Sequence, residues 1–376
     1  DRTLFIDDTS LPVYPENLTS SNMLYKVVSW GYRPAFASDA AGTALAALYE
    51  EARTVLKTIV TDGMTAYQKT LAIYDWIIEE TEYDWDLSRV GIHYPATEHW
   101  QDSTDDWDTG KLGPLSNYTA FTEWLVANTA PNAEADLNEY ITSGTIPASA
   151  ETRQNIAKFY DRQRLKYSMQ FSGFYLEGVF NDGLAVCDGR SKAFTLLCAM
   201  EGITSVRVIG EGGGGRHAWN KVLIDIDPSD YTPVMKWYLV DTTWDDVKLS
   251  REGVDSEYLL HSNFLISDDE AAQSEDDLGY PEAETSSELF YYQQHLFSTG
   301  GYTYSIYITE QAAIYGAVAF LKAKAIELGE PVYMEVYFYA PLDINTMVSS
   351  ALSAASASGT GFVVTGTRIC ILYITG

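Results

Sequence analysis

Gly183-Leu184-Ala185-Val186-Cys187-Asp188-Gly189-Arg190-Ser191-Lys192-Ala193 places a cysteine where an extended, apolar approach turns into a helical run. The run continues through Phe194, Leu196, Leu197 and Met200 and stops at Gly202. The unpaired amides and the dipole at a helix start favour an anion, which for a cysteine is the thiolate. Beyond Gly202 the period changes. Val206–Ile209, His217–Ile226 and Lys236–Thr243 are rich in β-branched and aromatic residues and read as strands.

Two segments in those strands matter beside the cysteine. Arg216-His217-Ala218-Trp219-Asn220 opens a strand after the glycine run Gly212–Gly215, a turn or hinge. Trp237-Tyr238-Leu239-Val240-Asp241-Thr242-Thr243-Trp244-Asp245-Asp246 closes the next one. The connection Asp227-Pro228-Ser229-Asp230 is rich in turn formers, and folding a hairpin about Ser229 sets His217 opposite Asp241. A nucleophilic cysteine needs an adjacent base, and that base needs a third group to hold its tautomer. Cys187, His217 and Asp241 supply the three in that order. Taken singly, a cysteine at a helix start or a histidine in a strand is more often structural.

Together the three segments resemble the core of the transglutaminase-like superfamily, a branch of the papain-like cysteine enzymes. Its pattern is a Cys heading a helix, then His-Ala-Trp, then an Asp shortly before a Trp. Lys69-Thr70-Leu71-Ala72-Ile73-Tyr74-Asp75-Trp76-Ile77, with Tyr83-Asp84 after it, resembles the helix preceding this core in bacterial members. The likeness covers about 62–86 and 171–246. It implies an α+β fold in which the helix-borne Cys packs on an antiparallel sheet, interrupted by a helical insertion at about 87–170. Cys187 then matches the nucleophile, His217 the general base and acid, and Asp241 the orienting carboxylate. Trp219, Trp76 and Tyr175 are candidates for positioning substrate or for packing. The implied reaction is attack on a glutamine side chain or peptide bond to give a thioester, passed to water or to an amine. Its partners would be protein or peptide, cell-wall peptide included, and neither cofactor nor metal is required. A protein of another class is the alternative: a surface binding module that keeps the fold without the activity.

The rest of the chain is organised around this core. Residues 1–40 read as irregular. A helix is expected over Ala44–Val60, from Leu45, Leu48, Tyr49, Ala52, Val55, Leu56 and Ile59 at spacings of three and four. Thr65-Ala66-Tyr67-Gln68 reads as a capping box opening a second helix. The loop 86–115 carries Asp102, Asp105, Asp106 and Asp108 without the spacing or closing Glu of a calcium loop. Helical patterns at about 117–128, 132–143 and 149–168 follow. The last bears Arg153, Lys158, Arg162, Arg164 and Lys166, a solvated side or a peptide-binding face. The acidic stretch 245–288 reads as exposed loop or short helix. A β-α-β-α-β rhythm then marks a small α/β domain, so the division expected is 1–297 and 298–376.

Composition bounds the partners. The chain has 376 residues and, with 24 Lys+Arg against 53 Asp+Glu, a formal net charge of −29. That excess counts against a phosphate-tracking nucleic-acid binder and against anionic lipid. Fourteen of the acidic residues fall between 245 and 288, a solubilising skirt or a filter for basic partners. Three cysteines make no disulfide framework, and no pair has zinc or redox spacing. Cys198 and Cys370 read as small core residues. No apolar run is long enough for a bilayer. The first residue is Asp1 rather than Met, which reads as a trimmed or a mature form, and the composition is compatible with an extracellular or cell-surface protein.

Overall fold

A computed structural model describes residues 2–84, 171–213, 215–226, 234–251, 254–284, 288–339, 343–355, 360–365 and 368–374. The loop 86–115, the three helical patterns of the insertion with their basic side, Gly214 and the turn at 227–230 lie outside them. The described residues form a mixed helix-and-sheet, α+β structure. They divide into two compact units, Asp1–Met235 with Ala272–Pro281, and Lys236–Ala271 with Glu282–Gly376.

In the first unit, residues 1–40 are more regular than expected. Strand β1 (Val13–Leu18) and strand β2 (Arg33–Phe36) pair in parallel around helix α1 (Ser21–Ser29). Nine residues are too few to hold a helix in water alone, so tertiary packing must do it. Leu24, Val27 and Val28 form the buried stripe, each contributing about 1.5–3 kcal/mol by leaving water. Helix α2 (Ala40–Ile59) begins at Asp39, whose side chain accepts from the Gly42 amide at 2.8 Å. It buries all of the expected stripe except its last member, Ile59, which is half-buried. Helix α3 (Ala66–Glu80) has the capping box: the Gln68 amide donates to Thr65 Oγ1 and the Thr65 amide to Gln68 Oε1.

Strand β3 (Glu82–Tyr83) pairs in parallel with strand β4 (Leu184–Ala185), a hundred residues on. Helix α4 (Cys187–Met200) follows at once and is buried on nearly every side, which no single apolar stripe foretells. It stops before Gly202, which takes φ +77 and leaves no room for a Cβ beside the Phe5 ring. Strand β5 (Thr204–Gly212) and strand β6 (Gly215–Ile224) form an unbroken antiparallel hairpin from Thr204↔Leu223 to Gly212↔Gly215. Pairing runs as far as Gly212↔Gly215, with Gly213 at φ +61, so the connection is short.

The second unit begins with strand β7 (Lys236–Val240). The acidic stretch after it is loop only in its second half, about 267–284; its first half, expected as loop or short helix, forms strands. Strand β8 (Asp246–Arg251) and strand β9 (Val254–Leu259) make a hairpin, and strand β10 (Phe264–Ile266), fully buried, pairs with β7. Alternating Val247, Leu249 and Val254 gave that hairpin away less loudly than the charges hid it. Strand β11 (Ser274–Glu275) lies in the first unit against β5.

The C-terminal rhythm is present. After helix α5 (Glu288–Gln294), strands β12 (Leu296–Thr299) and β13 (Tyr302–Ser305) pair as a hairpin. The strand expected at Tyr302–Thr309 breaks at Ile306, and strand β14 (Tyr307–Ile308) joins a different sheet. Helix α6 (Gln311–Leu328), strand β15 (Val332–Phe338), helix α7 (Ile344–Ala355), strand β16 (Thr360–Thr365) and strand β17 (Ile369–Ile374) complete it, in sheet order β14-β15-β17-β16. No described helix is long and apolar enough to cross a membrane.

Candidate active site

Cys187 is the first residue of α4 and only 8% exposed. Its predecessor Val186 is extended and offers no side-chain cap, so the backbone amides of the first turn are left for another acceptor. Gly189, two residues on, lets the helix start sit against the turn Phe171–Phe174: a Cβ there would stand 2.4 Å from the Gly173 carbonyl oxygen.

Polar residues Asp188, Arg190, Ser191 and Lys192 follow the cysteine. They are buried. Asp188 Oδ2 accepts from Lys192 Nζ at 2.7 Å, and Asp188 Oδ1 accepts from Arg207 Nε, on β5, at 2.6 Å. Lys192 Nζ also donates to the Phe174 carbonyl at 2.7 Å and sits 4.9 Å from the Tyr175 ring centre. Burial pushes the Asp188 carboxyl up, but the two cations outweigh it and hold the group below its ordinary value. Burial moves Lys192 down, and the second cation, Arg207, adds to that shift. Arg207 is held protonated against its own burial by Asp188, Tyr25 and, among others, Cys187. One carboxylate thus serves two cations, and the thiol lies within the electrostatic reach of Arg207. Arg190 is fully buried too; it donates to the Thr81 carbonyl and lies over the Tyr83 ring at 5.7 Å.

His217 lies on β6, 7% exposed, paired in register with Gly210. Its ring stacks on Trp219, centroids 5.7 Å apart and planes 25° off parallel. Trp219 is 2% exposed, a packing residue behind the imidazole, and its Nε1 finds no partner among the described residues. Alternation along β6 sends Ala218 and Asn220 to the other face. There Asn220 Nδ2 donates to the Ser191 carbonyl at 3.0 Å and to Thr195 Oγ1 at 2.9 Å, which pins the strand to α4. Trp76 is half-buried and stacks on Phe180 at 5.7 Å, while Tyr175 is half-buried against Phe174 and Val186. Trp237 and Trp244, expected in the core, are half-buried.

Asp241 belongs to the second unit, directly after β7, and is fully buried. Its amide donates to the Asn263 carbonyl at 3.0 Å, and its Oδ1 accepts from the Thr243 amide at 2.8 Å. The turn through which His217 was set opposite Asp241 lies outside the described residues. Cys198 and Cys370 are fully buried, as expected of core residues. Burial raises the Cys198 thiol well above its usual range and Cys370 to about 12.

Sequence reading missed the Asp188–Arg207–Lys192 cluster. The i,i+4 spacing of Asp188 and Lys192 was a visible signal. Nothing local announces Arg207, which reaches the helix from a strand.

No family model matches the chain, and neither does any of the curated proteins compared with it. Among solved structures, a crystal structure of a TGase overlaps 65% of this chain at 16% identity and a TM-score of 0.28. The overlap takes in 43% of that structure's chain. A score that low does not establish a shared fold.

Proposed function

We propose that this chain is a thiol-dependent amide-bond enzyme with a transglutaminase-like core, using Cys187, His217 and Asp241. The observation that carries the reading is the place of Cys187: first residue of a buried helix, beside a buried cluster with one more cation than anion. A helix start beside a cation is the setting in which a cysteine serves as a nucleophile. The reading requires thiol and imidazole to meet at the N-terminal end of α4, because Ala218 and Asn220 face the flank of the helix.

In this mechanism Cys187 Sγ attacks the carbonyl carbon of a glutamine side chain or peptide bond. The carbon–nitrogen bond breaks, the amine leaves with a proton from the His217 imidazolium, and a thioester remains. The Cys187 amide donates to the oxyanion. Imidazole then takes a proton from water or an amine, which adds to the thioester and releases the thiolate. Water makes the enzyme a peptidase or deamidase; a lysine amine makes it a transamidase. Asp241 holds the imidazole tautomer. The substrate is a protein or peptide, met outside the cell or at its surface, and 1–297 and 298–376 are the family domain and its appendage.

The test is incubation with glutamine-containing peptides, with and without an amine donor, beside Cys187→Ala. Ammonia release, peptide cleavage or amine incorporation should appear and vanish in the variant. Ammonia release without incorporation rejects transamidation as the main activity. Products that persist in Cys187→Ala sink the proposal.

A further inference from the structure

The second unit contains a buried polar chain that the reaction above does not use. Glu335, on β15, is 2% exposed in an otherwise apolar sheet. Its Oε2 lies 3.0 Å from His261 Nδ1, and its Oε1 accepts from Tyr292 Oη at 2.5 Å and from the His261 amide at 3.3 Å. Tyr291 stacks on the His261 ring with centroids 3.8 Å apart. A carboxylate is not left in such a place without a reason, since burying it is costly unless each oxygen is bonded.

The chain continues along the backbone from His261. Ser262 Oγ donates to Asp245 Oδ1 at 2.5 Å, the Asn263 amide to Asp245 Oδ2 at 2.7 Å, and Asn263 Nδ2 to Asp245 Oδ1 at 2.8 Å. Asp245 also accepts the Leu260 amide on its own carbonyl at 2.8 Å. The turn 260–263 is therefore tied twice: to Glu335 by His261, and to Asp245, the residue before β8. From this turn the Asn263 carbonyl takes the amide of Asp241. While the turn is held, that bond fixes the backbone of Asp241.

We infer that Glu335 is a positioning residue for Asp241, acting through His261 and the turn that Asp245 ties. The inference rests on the proposed role of Asp241. It gives the C-terminal sheet a part in the reaction: β15 holds the loop that sets the orienting carboxylate.

The experiment reads the thiol and needs no substrate. Cys187 is alkylated with iodoacetamide at pH 6 and at pH 9, and the ratio of the two rates is recorded. At pH 9 a free thiol ionises anyway, so only the pH 6 rate depends on an imidazolium held by Asp241. Cys198 and Cys370, buried and protonated, contribute little. Asp241→Ala should lower the ratio about tenfold, the equivalent of one pKa unit. Glu335→Ala should lower it at least about threefold with the pH 9 rate unchanged, and Glu335→Gln, which keeps the shape and both acceptors on Oε1, should restore it. Glu335→Met with Tyr292→Phe removes the chain while leaving no buried hydroxyl unpaired, and serves if Glu335→Ala does not fold. A ratio that falls in Asp241→Ala but not in the folded Glu335 variants overturns the positioning role alone. A ratio unmoved in all of them overturns the role of Asp241 and the inference with it.

Discussion

Asp188 stands next to the proposed nucleophile and is bonded to two cations, the buried Lys192 and the half-buried Arg207, so its charge matters to folding before it matters to chemistry. Removing it strands Lys192 and Arg207 without their anion. Asp188→Asn should cost about 3–5 kcal/mol, the usual penalty for breaking a buried pair from one side. The pH dependence has a definite sign. Because the folded-state pKa is held below the unfolded one, the stabilisation is complete above about pH 4 and is lost as pH falls through the folded value. Urea midpoints taken from pH 6 down to pH 3 should drop less steeply in Asp188→Asn than in the parent. Parallel slopes would count against the cluster. The charge pattern Cys187-Asp188-Gly189-Arg190-Ser191-Lys192 was legible in the sequence, but its burial was not. Charged residues are exposed in most helices, and only a partner from another element, Arg207, makes burial affordable.

Helix α4 is the element on which the site depends. Its start is fixed by chain contacts that tolerate no side chain at Gly189, where a methyl group would meet the Gly173 carbonyl at 2.4 Å. Gly189→Ala therefore forces the helix away from the turn Phe171–Phe174. The expected loss is about 1–3 kcal/mol of stability, despite the better helix propensity of alanine. Chemical denaturation measures it, and a variant as stable as the parent would show that the turn gives way easily. At this scale much was readable beforehand. The stripe of α2, the capping box of α3, the cysteine at the head of α4 and the strands β5, β6 and β7 follow from local periodicity and capping. Other elements did not. Helix α1 is too short to stand alone, the β8–β9 hairpin carries charges that suggest a loop, and β14 leaves the strand it seemed to continue.

Across the whole molecule, a formal charge of −29 repels itself, although part of it is neutralised locally. Arg216 and Asp276 bond through two nitrogen–oxygen pairs, and the buried Lys221 Nζ reaches Glu275 at 2.7 Å. Asp245 is fully buried and Asp276 faces an arginine, so the stretch 245–288 is more than a skirt. Most of the excess stays uncompensated. Raising sodium chloride from about 10 mM to 150 mM shortens the Debye length from about 30 Å to 8 Å and should raise the thermal midpoint. A midpoint that falls would mean that the ion pairs outweigh the repulsion. The sequence by itself determined much of the element order around the core and named Cys187, His217 and Asp241 as candidates, because periodicity, capping and motif spacing are local properties. The tertiary structure decided that the polar side of α4 is buried, that Arg207 joins Asp188, and that a glutamate near residue 335 holds a turn near residue 261. Those are contacts between residues far apart in the chain, and the free energy that selects them exists only once the elements have packed.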